Sequence, residues 1–156
     1  MKIIIVSGGF DPIHSGHIAY LKSAKELGDK LIVALNSDDW LINKKDKFFM
    51  PFVERKNIIE NLKMVDKVID FDDDELGSCI NALKKIKTLY PEDEIFFCNG
   101  GDRTKENIPE EVLCLENEIK CTFKFGVGGE DKKNSSSWIL KEWEKPTTKR
   151  NWGSYT

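Results

Sequence analysis

The sequence predicts a doubly wound, Rossmann-like α/β domain: a five-stranded parallel sheet with helices on both faces. Three observations carry that expectation. The apolar runs Ile3-Ile4-Ile5-Val6 and Leu31-Ile32-Val33-Ala34-Leu35 are unbroken rather than alternating, as strands are when both faces of a parallel sheet are covered. Stretches with helical apolar spacing separate such runs in the order β-α-β-α-β-α-β-α-β-α. Turn-forming residues (Gly8-Gly9, Asn36-Ser37 and Asn99-Gly100-Gly101) follow the first, second and fourth runs. They fall at the carboxyl edge, where ligands of such sheets bind.

Each element has its own signal. Lys2 to Ser7 is the first strand, stopped by Gly8-Gly9. From Gly16 to Leu27, the residues Ile18, Leu21 and Ala24 share one helical face, and Gly28 is a natural stop. Leu31 to Leu35 is the second strand. Asn36 to Met50 is polar, holds Lys44, Lys45 and Lys47, and reads as a loop. Pro51 opens a helix with Phe52, Ile58, Ile59 and Leu62 inward. Lys67 to Phe71 is a short strand, and Leu76, Ile80, Leu83, Ile86 and Tyr90 mark the next helix. Glu94 to Cys98 is the fourth strand. Asn107 is placed to cap a helix beginning near Pro109, with Glu110 as the partner in a capping box. Lys120 to Phe125 is the fifth strand, and a last helix starts in Ser135-Ser136-Ser137.

Composition narrows the function. At 156 residues the chain holds one core, which we assign to residues 1–144. The net charge of −3 argues against a nucleic-acid partner, which needs a basic footprint. No apolar run approaches the roughly 20 residues that span a bilayer, and the opening run breaks too early for a signal peptide. Four cysteines without a Cys-x-x-Cys pair read as reduced thiols of a cytoplasmic protein.

The two histidines stand three residues apart, in Gly9-Phe10-Asp11-Pro12-Ile13-His14-Ser15-Gly16-His17. Glycines after a strand let the backbone approach a phosphate, and the following helix turns its N-terminus toward it. The spacing puts His14 and His17 on one side of the first turn. With Asp11 nearby the pair also suits a shared metal ion, but the surrounding glycines favour phosphate. The motif is neither Gly-x-Gly-x-x-Gly nor a lysine-bearing P-loop. The lysines at 44, 45 and 47 are either a solvated run or a grip on phosphate, and the serine triplet is an N-cap or a phosphate site.

The pattern Gly-x-Phe-Asp-x-x-His-x-Gly-His resembles the signature of the nucleotidylyltransferase superfamily. The likeness continues through Leu27-Gly28-Asp29, Asn36-Ser37-Asp38, Glu54-Arg55, Gly100-Gly101-Asp102 and Ser135-Ser136-Ser137. It is nearest to the ADP-heptose-forming adenylyltransferase domain, then to glycerol-3-phosphate cytidylyltransferase. The resemblance implies transfer of a nucleoside monophosphate, AMP before CMP, to a small sugar or polyol phosphate with release of pyrophosphate. A module that binds nucleotide without catalysis is the reading of another class.

By the same resemblance, His14, His17, Lys44 and Ser136 are catalytic. Gly9, Phe10, Asp11, Gly16, Lys47, Arg55, Gly101, Asp102, Ser135 and Ser137 join His14, His17 and Ser136 on the nucleotide. Lys44, Asp38 and Arg103 take the acceptor. Mg²⁺ arrives on the triphosphate, no metal is held by the protein alone, and the chain forms a homodimer. Ser136 and Ser137 stand where the family usually has threonines. The nearest cations before them are Lys132 and Lys133, and Lys63 replaces a helix arginine of the cytidylyltransferase. Residues 145–156 are a polar tail or linker. Its Arg150-Asn151-Trp152-Gly153-Ser154-Tyr155 resembles the opening of the cupin domain in mannose-6-phosphate isomerase-type proteins, which implies a cupin-like domain beyond it.

Overall fold

The computed structural model describes residues 1–100, 108–128 and 135–146. Lys2–Gly8 forms β1, the central strand of a five-stranded sheet. Lys30–Leu35 (β2) pairs with it on one side and Glu94–Cys98 (β4) on the other, both parallel. Lys67–Ile69 (β3) adds to β2 and Thr122–Lys124 (β5) to β4, so the order is β3-β2-β1-β4-β5. The chain starts in the middle and winds out in both directions, which places the switch in strand order between β1 and β4.

Period-two alternation along the strands divides the core. Ile3 and Ile5 of β1, with Ile32 and Ala34 of β2, pack against Leu83 and Ile86 of α4 (Ile80–Leu89) and Cys114 of α5 (Glu110–Glu116). On the other face Ile4, Val6, Leu31 and Val33 meet Leu21 and Ala24 of α1 (Ser15–Lys25) and Ile59 of α3 (Phe52–Glu60). The continuous apolar runs thus face helices on both sides. Cys79, Cys98 and Cys114 are buried, and none of the four cysteines forms a disulfide. Among the described residues no helix is long and apolar enough to cross a membrane.

Three expectations are corrected. Residues 36–50 are not a loop throughout, because Asp38–Lys45 forms α2. Ser37 caps it by accepting the Trp40 N–H at 3.0 Å, Asp38 and Asp39 lie in its first turn, and Lys44 and Lys45 in its last. The helix expected from Leu76 begins only at Ile80; Leu76 is exposed, and Ser78 is held by the Asp74 carboxylate in the turn before it. Glu110, expected at the third helical position of a capping box, is instead the first residue of α5, with Pro109 at the N-cap; it is buried and accepts the Cys79 thiol at 3.6 Å. Asn107 lies outside the described residues. The final helix, α6 (Ser136–Trp143), begins after Ser135, as expected.

Candidate active site

A cavity of about 320 Å³ opens at the carboxyl edge between β1 and β4. The end of β1 supplies Gly8 and the following Gly9, Phe10 and Asp11; the end of β4 supplies Cys98, then Asn99 and Gly100. His17 and Tyr20 of α1, four residues of α2 (Trp40, Leu41, Lys44, Lys45) and Ser136 of α6 close it. Tyr20 donates its hydroxyl to the Cys98 carbonyl at 2.6 Å, tying α1 to β4 across the opening.

The histidines are organised by the helix start. His14 is the N-cap of α1, and its Nδ1 accepts the Gly16 N–H at 3.0 Å. Its own backbone N–H donates to Nδ1 of His17 at 3.2 Å. A nitrogen that accepts a backbone N–H carries no proton, so each neutral ring holds its proton on Nε2. The rings stack with centroids 3.8 Å apart, and the Phe10 edge packs on His17 at 4.8 Å. Burial, reinforced electrostatically by the neighbouring His14 and Lys45, pushes the His17 pKa down to about 3. His17 lines the cavity, while His14 stacks on it and is not among the lining residues of this cavity. Gly16, expected on the nucleotide, directs its N–H to His14.

Asp11 and Arg55 hold the site's frame. The buried Asp11 carboxylate accepts the N–H groups of Phe49 and Met50 at 2.6 and 2.7 Å, which pins the segment after α2 to the loop after β1. Arg55, expected on the nucleotide, is fully buried. Its Nε donates to the Met50 carbonyl, one terminal nitrogen to the Gly9 and Asn36 carbonyls, and the other to Asp38 Oδ1 at 2.7 Å. Only a guanidinium spans four acceptors in this way. The assignment is therefore corrected: Arg55 braces the ends of β1 and β2 from within and presents no surface to a ligand. Asp38, expected on the acceptor, is its ion-pair partner and lines a separate hollow with Leu35, Phe52 and Asp70.

The cations come from α2. Lys44 and Lys45 line the cavity, and the Lys44 ammonium lies 4.6 Å from the Trp40 ring centroid. Lys47, expected on the nucleotide, is exposed and outside the cavity, because the left-handed Asp46 (φ 69°) ends α2 and turns the chain away. Among the serines, Ser135 accepts the Trp138 N–H at 3.1 Å as N-cap. Ser136 lines the cavity, but its hydroxyl donates to the Pro12 carbonyl at 2.8 Å, so its proton is already engaged in a strut between α6 and the histidine loop. Ser137 is exposed and not among the lining residues. Gly101, Asp102, Arg103, Lys132, Lys133 and the tail from Thr147 lie outside the described residues.

Lys45 was one of three lysines considered for phosphate and Asn99 stood in a turn expected at the ligand edge, whereas Trp40 and Tyr20 belong to the site without having been singled out as site residues by the sequence. For Trp40 and Lys45 a signal exists: Ser37-Asp38-Asp39 with Lys44-Lys45 is an N-cap, acidic first turn and basic last turn. Tyr20 carries no such mark.

Nε2–H imidazoles and ammonium groups gathered at the switch point of a doubly wound sheet suit the phosphates of a nucleotide, as in a nucleotidyltransferase-type domain. The chain matches the cytidylyltransferase-like family model over residues 5–142 and belongs to that family. It is 38% identical over 128 residues to the bifunctional protein HldE of Blochmanniella floridana, covering 80% of this chain and 25% of that protein. It is 44% identical over 69 residues to glycerol-3-phosphate cytidylyltransferase of Bacillus subtilis strain 168, covering 44% of this chain and 54% of that one. The lipopolysaccharide core biosynthesis protein of Thermoplasma volcanium GSS1 superposes with a TM-score of 0.61 and 28% identity, over 80% of this chain and 93% of that one. The chain thus spans about a quarter of the length of the HldE relative and about half that of the cytidylyltransferase.

Proposed function

We propose that this domain transfers a nucleoside monophosphate from a nucleoside triphosphate, carried as its Mg²⁺ complex, to the phosphate of a small sugar or polyol. An oxygen of the acceptor phosphate attacks the α-phosphorus, the bond to the β-phosphate oxygen breaks, and pyrophosphate leaves. The observation that carries this reading is the coupled cap of α1, in which the Nδ1 atoms of His14 and His17 accept backbone N–H groups. Both imidazoles then serve as neutral donors, and the adjacent Lys44 and Lys45 supply charge. Such a reaction needs positioning and stabilisation of the equatorial oxygens rather than a protein nucleophile.

The motif resemblance to the ADP-heptose-forming adenylyltransferase domain favours AMP as the transferred group and a sugar phosphate as acceptor. The shorter match to the B. subtilis enzyme supports the alternative of CTP with glycerol phosphate. Pyrophosphate release measured with ATP, CTP, GTP and UTP against heptose 1-phosphate, other sugar 1-phosphates and glycerol 3-phosphate separates these. Nucleotide binding without release from any pair would leave the non-catalytic module. We further read the protein as cytoplasmic and homodimeric, with residues 145–156 as a linker toward a cupin-like domain. Sizing and assay after deletion of 146–156 test the last point: a shift to monomer would make the tail a subunit arm.

A further inference from the structure

A second cavity of about 400 Å³ adjoins the first, and Trp40 and Lys44 line both. Its remaining wall carries the carboxylic side chains of Asp73, Asp74, Glu75 and Glu110. Resting on the transferase reading above, we propose that this cavity receives the body of the acceptor. It admits phosphorylated compounds whose remainder is uncharged and hydroxyl-bearing, and it excludes those that carry a carboxylate.

The argument is one of charge order. Among the described lining residues Lys44 is the one cation, and it stands at the boundary with the nucleotide cavity. An acceptor phosphate drawn there has its attacking oxygen on the nucleotide side, which leaves the rest of the molecule facing the four carboxylic groups. Trp40 is fixed as the partition, since its Nε1–H donates to the Gly77 carbonyl at 2.9 Å. Asp73 is held by the Ser37 hydroxyl and Asp74 by the N–H and hydroxyl of Ser78. An ionised carboxylate offers about four lone-pair sites, so Asp73 and Asp74 retain capacity for acceptor hydroxyls after these bonds. A second anionic group on the acceptor would instead meet like charge, which is how interfaces suppress wrong partners. An ammonium-bearing acceptor would suit carboxylates too, but the Lys44 ammonium, 4.6 Å from the Trp40 ring centroid, already stands at this wall and would repel a second cation beside it.

The test compares acceptors that differ at one group. Glucose 1-phosphate, glucuronic acid 1-phosphate and glucosamine 1-phosphate form one series; glycerol 3-phosphate and 3-phosphoglycerate form another. The acceptor with the fastest pyrophosphate release is compared with its own carboxylate counterpart as well. We expect kcat/KM to favour the hydroxyl member by roughly tenfold or more over the carboxylate. That gap should narrow in Asp73→Asn and in Glu75→Gln, both at exposed positions. Equal use of hydroxyl and carboxylate members, preference for the amine, or a gap unchanged in both variants would overturn the proposal while leaving the transferase standing. Absence of pyrophosphate release with every acceptor and nucleotide would overturn both.

Discussion

The backbone N–H of His14 donates to the Nδ1 of His17, 3.2 Å away, so one histidine sets the tautomer of the other. The same residue, His14, caps the helix that carries His17. The pair is therefore a helix cap and a donor array at once. Replacing His17 by Ala removes the donor that lines the cavity and is expected to lower kcat by roughly 10²–10³, as loss of one oxyanion-type donor does. Because the ring is only half-buried, far-ultraviolet circular dichroism should stay native. A variant that keeps half its turnover would remove His17 from the reaction.

The depressed pKa of His17 has a pH signature. Its ordinary value is 6.5, and in the folded chain burial brings it to about 3. Between these limits the unfolded chain binds a proton that the native chain does not. The contribution of the neutral ring is therefore complete above pH 6.5 and declines as pH falls toward 3. Thermal unfolding followed from pH 7 to pH 4 should show a steeper loss in the wild type than in His17→Gln, which has no imidazole to protonate. Parallel curves would show that His17 titrates normally. In ¹⁵N spectra the ring should stay neutral with the proton on Nε2 down to pH 5.

Arg55 is expected to act through stability. Its guanidinium is sealed and satisfies three carbonyls and Asp38. Lysine offers a point charge that cannot reach all four, which leaves buried carbonyls unpaired. Arg55→Lys should therefore lose about 3 kcal/mol, or about 10 °C in a domain of this size. Below the lowered transition, KM for the nucleotide should stay within about twofold of wild type. A large rise in KM without a change in melting would return Arg55 to the nucleotide.

What could be read from the residues alone follows from which interactions are local. The unbroken runs in β1 and β2 record burial on two faces, and that pattern survives in one dimension. The spacing of His14 and His17 likewise shows the helix start. Helix α2 was hidden because it buries Leu41 alone and has no apolar period, although its caps were in plain view. Arg55 was misread because its partners Gly9, Asn36, Asp38 and Met50 come together only when the ends of β1 and β2 meet α3. Family context marks such an arginine, but it does not say whether the side chain points inward or outward.

The two lysines that flank Asp46 should behave differently. Lys45 lines the cavity and its charge reaches His17, whereas Lys47 is exposed beyond the turn. A hydrogen bond from an ammonium to phosphate contributes about 1.5–3 kcal/mol, which corresponds to about 10- to 100-fold in affinity. Lys45→Ala should raise KM for the nucleotide within that range, and Lys47→Ala should leave it near the wild-type value. Steady-state kinetics of the two variants decide the matter, and the reverse order would show that Asp46 does not turn the chain away in solution.

Gly9 meets α2 directly, and this contact links the loop after β1 to the lysines. A Cβ added at Gly9 would lie 2.7 Å from Leu41 Cδ2, with Trp40 Cζ3 at 3.7 Å. Leu41 is itself buried, so its side chain cannot swing into solvent to make room. Overpacking of this kind costs about 1–3 kcal/mol, and the shift it imposes on α2 moves Lys44 and Lys45 as well. Gly9→Ala should therefore lower the melting temperature and raise KM for the nucleotide together. Leu41→Ala alone leaves a cavity and is destabilising by about 2–5 kcal/mol. In the double variant the new methyl occupies part of that space, so the loss should fall short of the sum of the two by about 1 kcal/mol or more. Strict additivity across the cycle would show that the glycine is required for something other than its contact with Leu41.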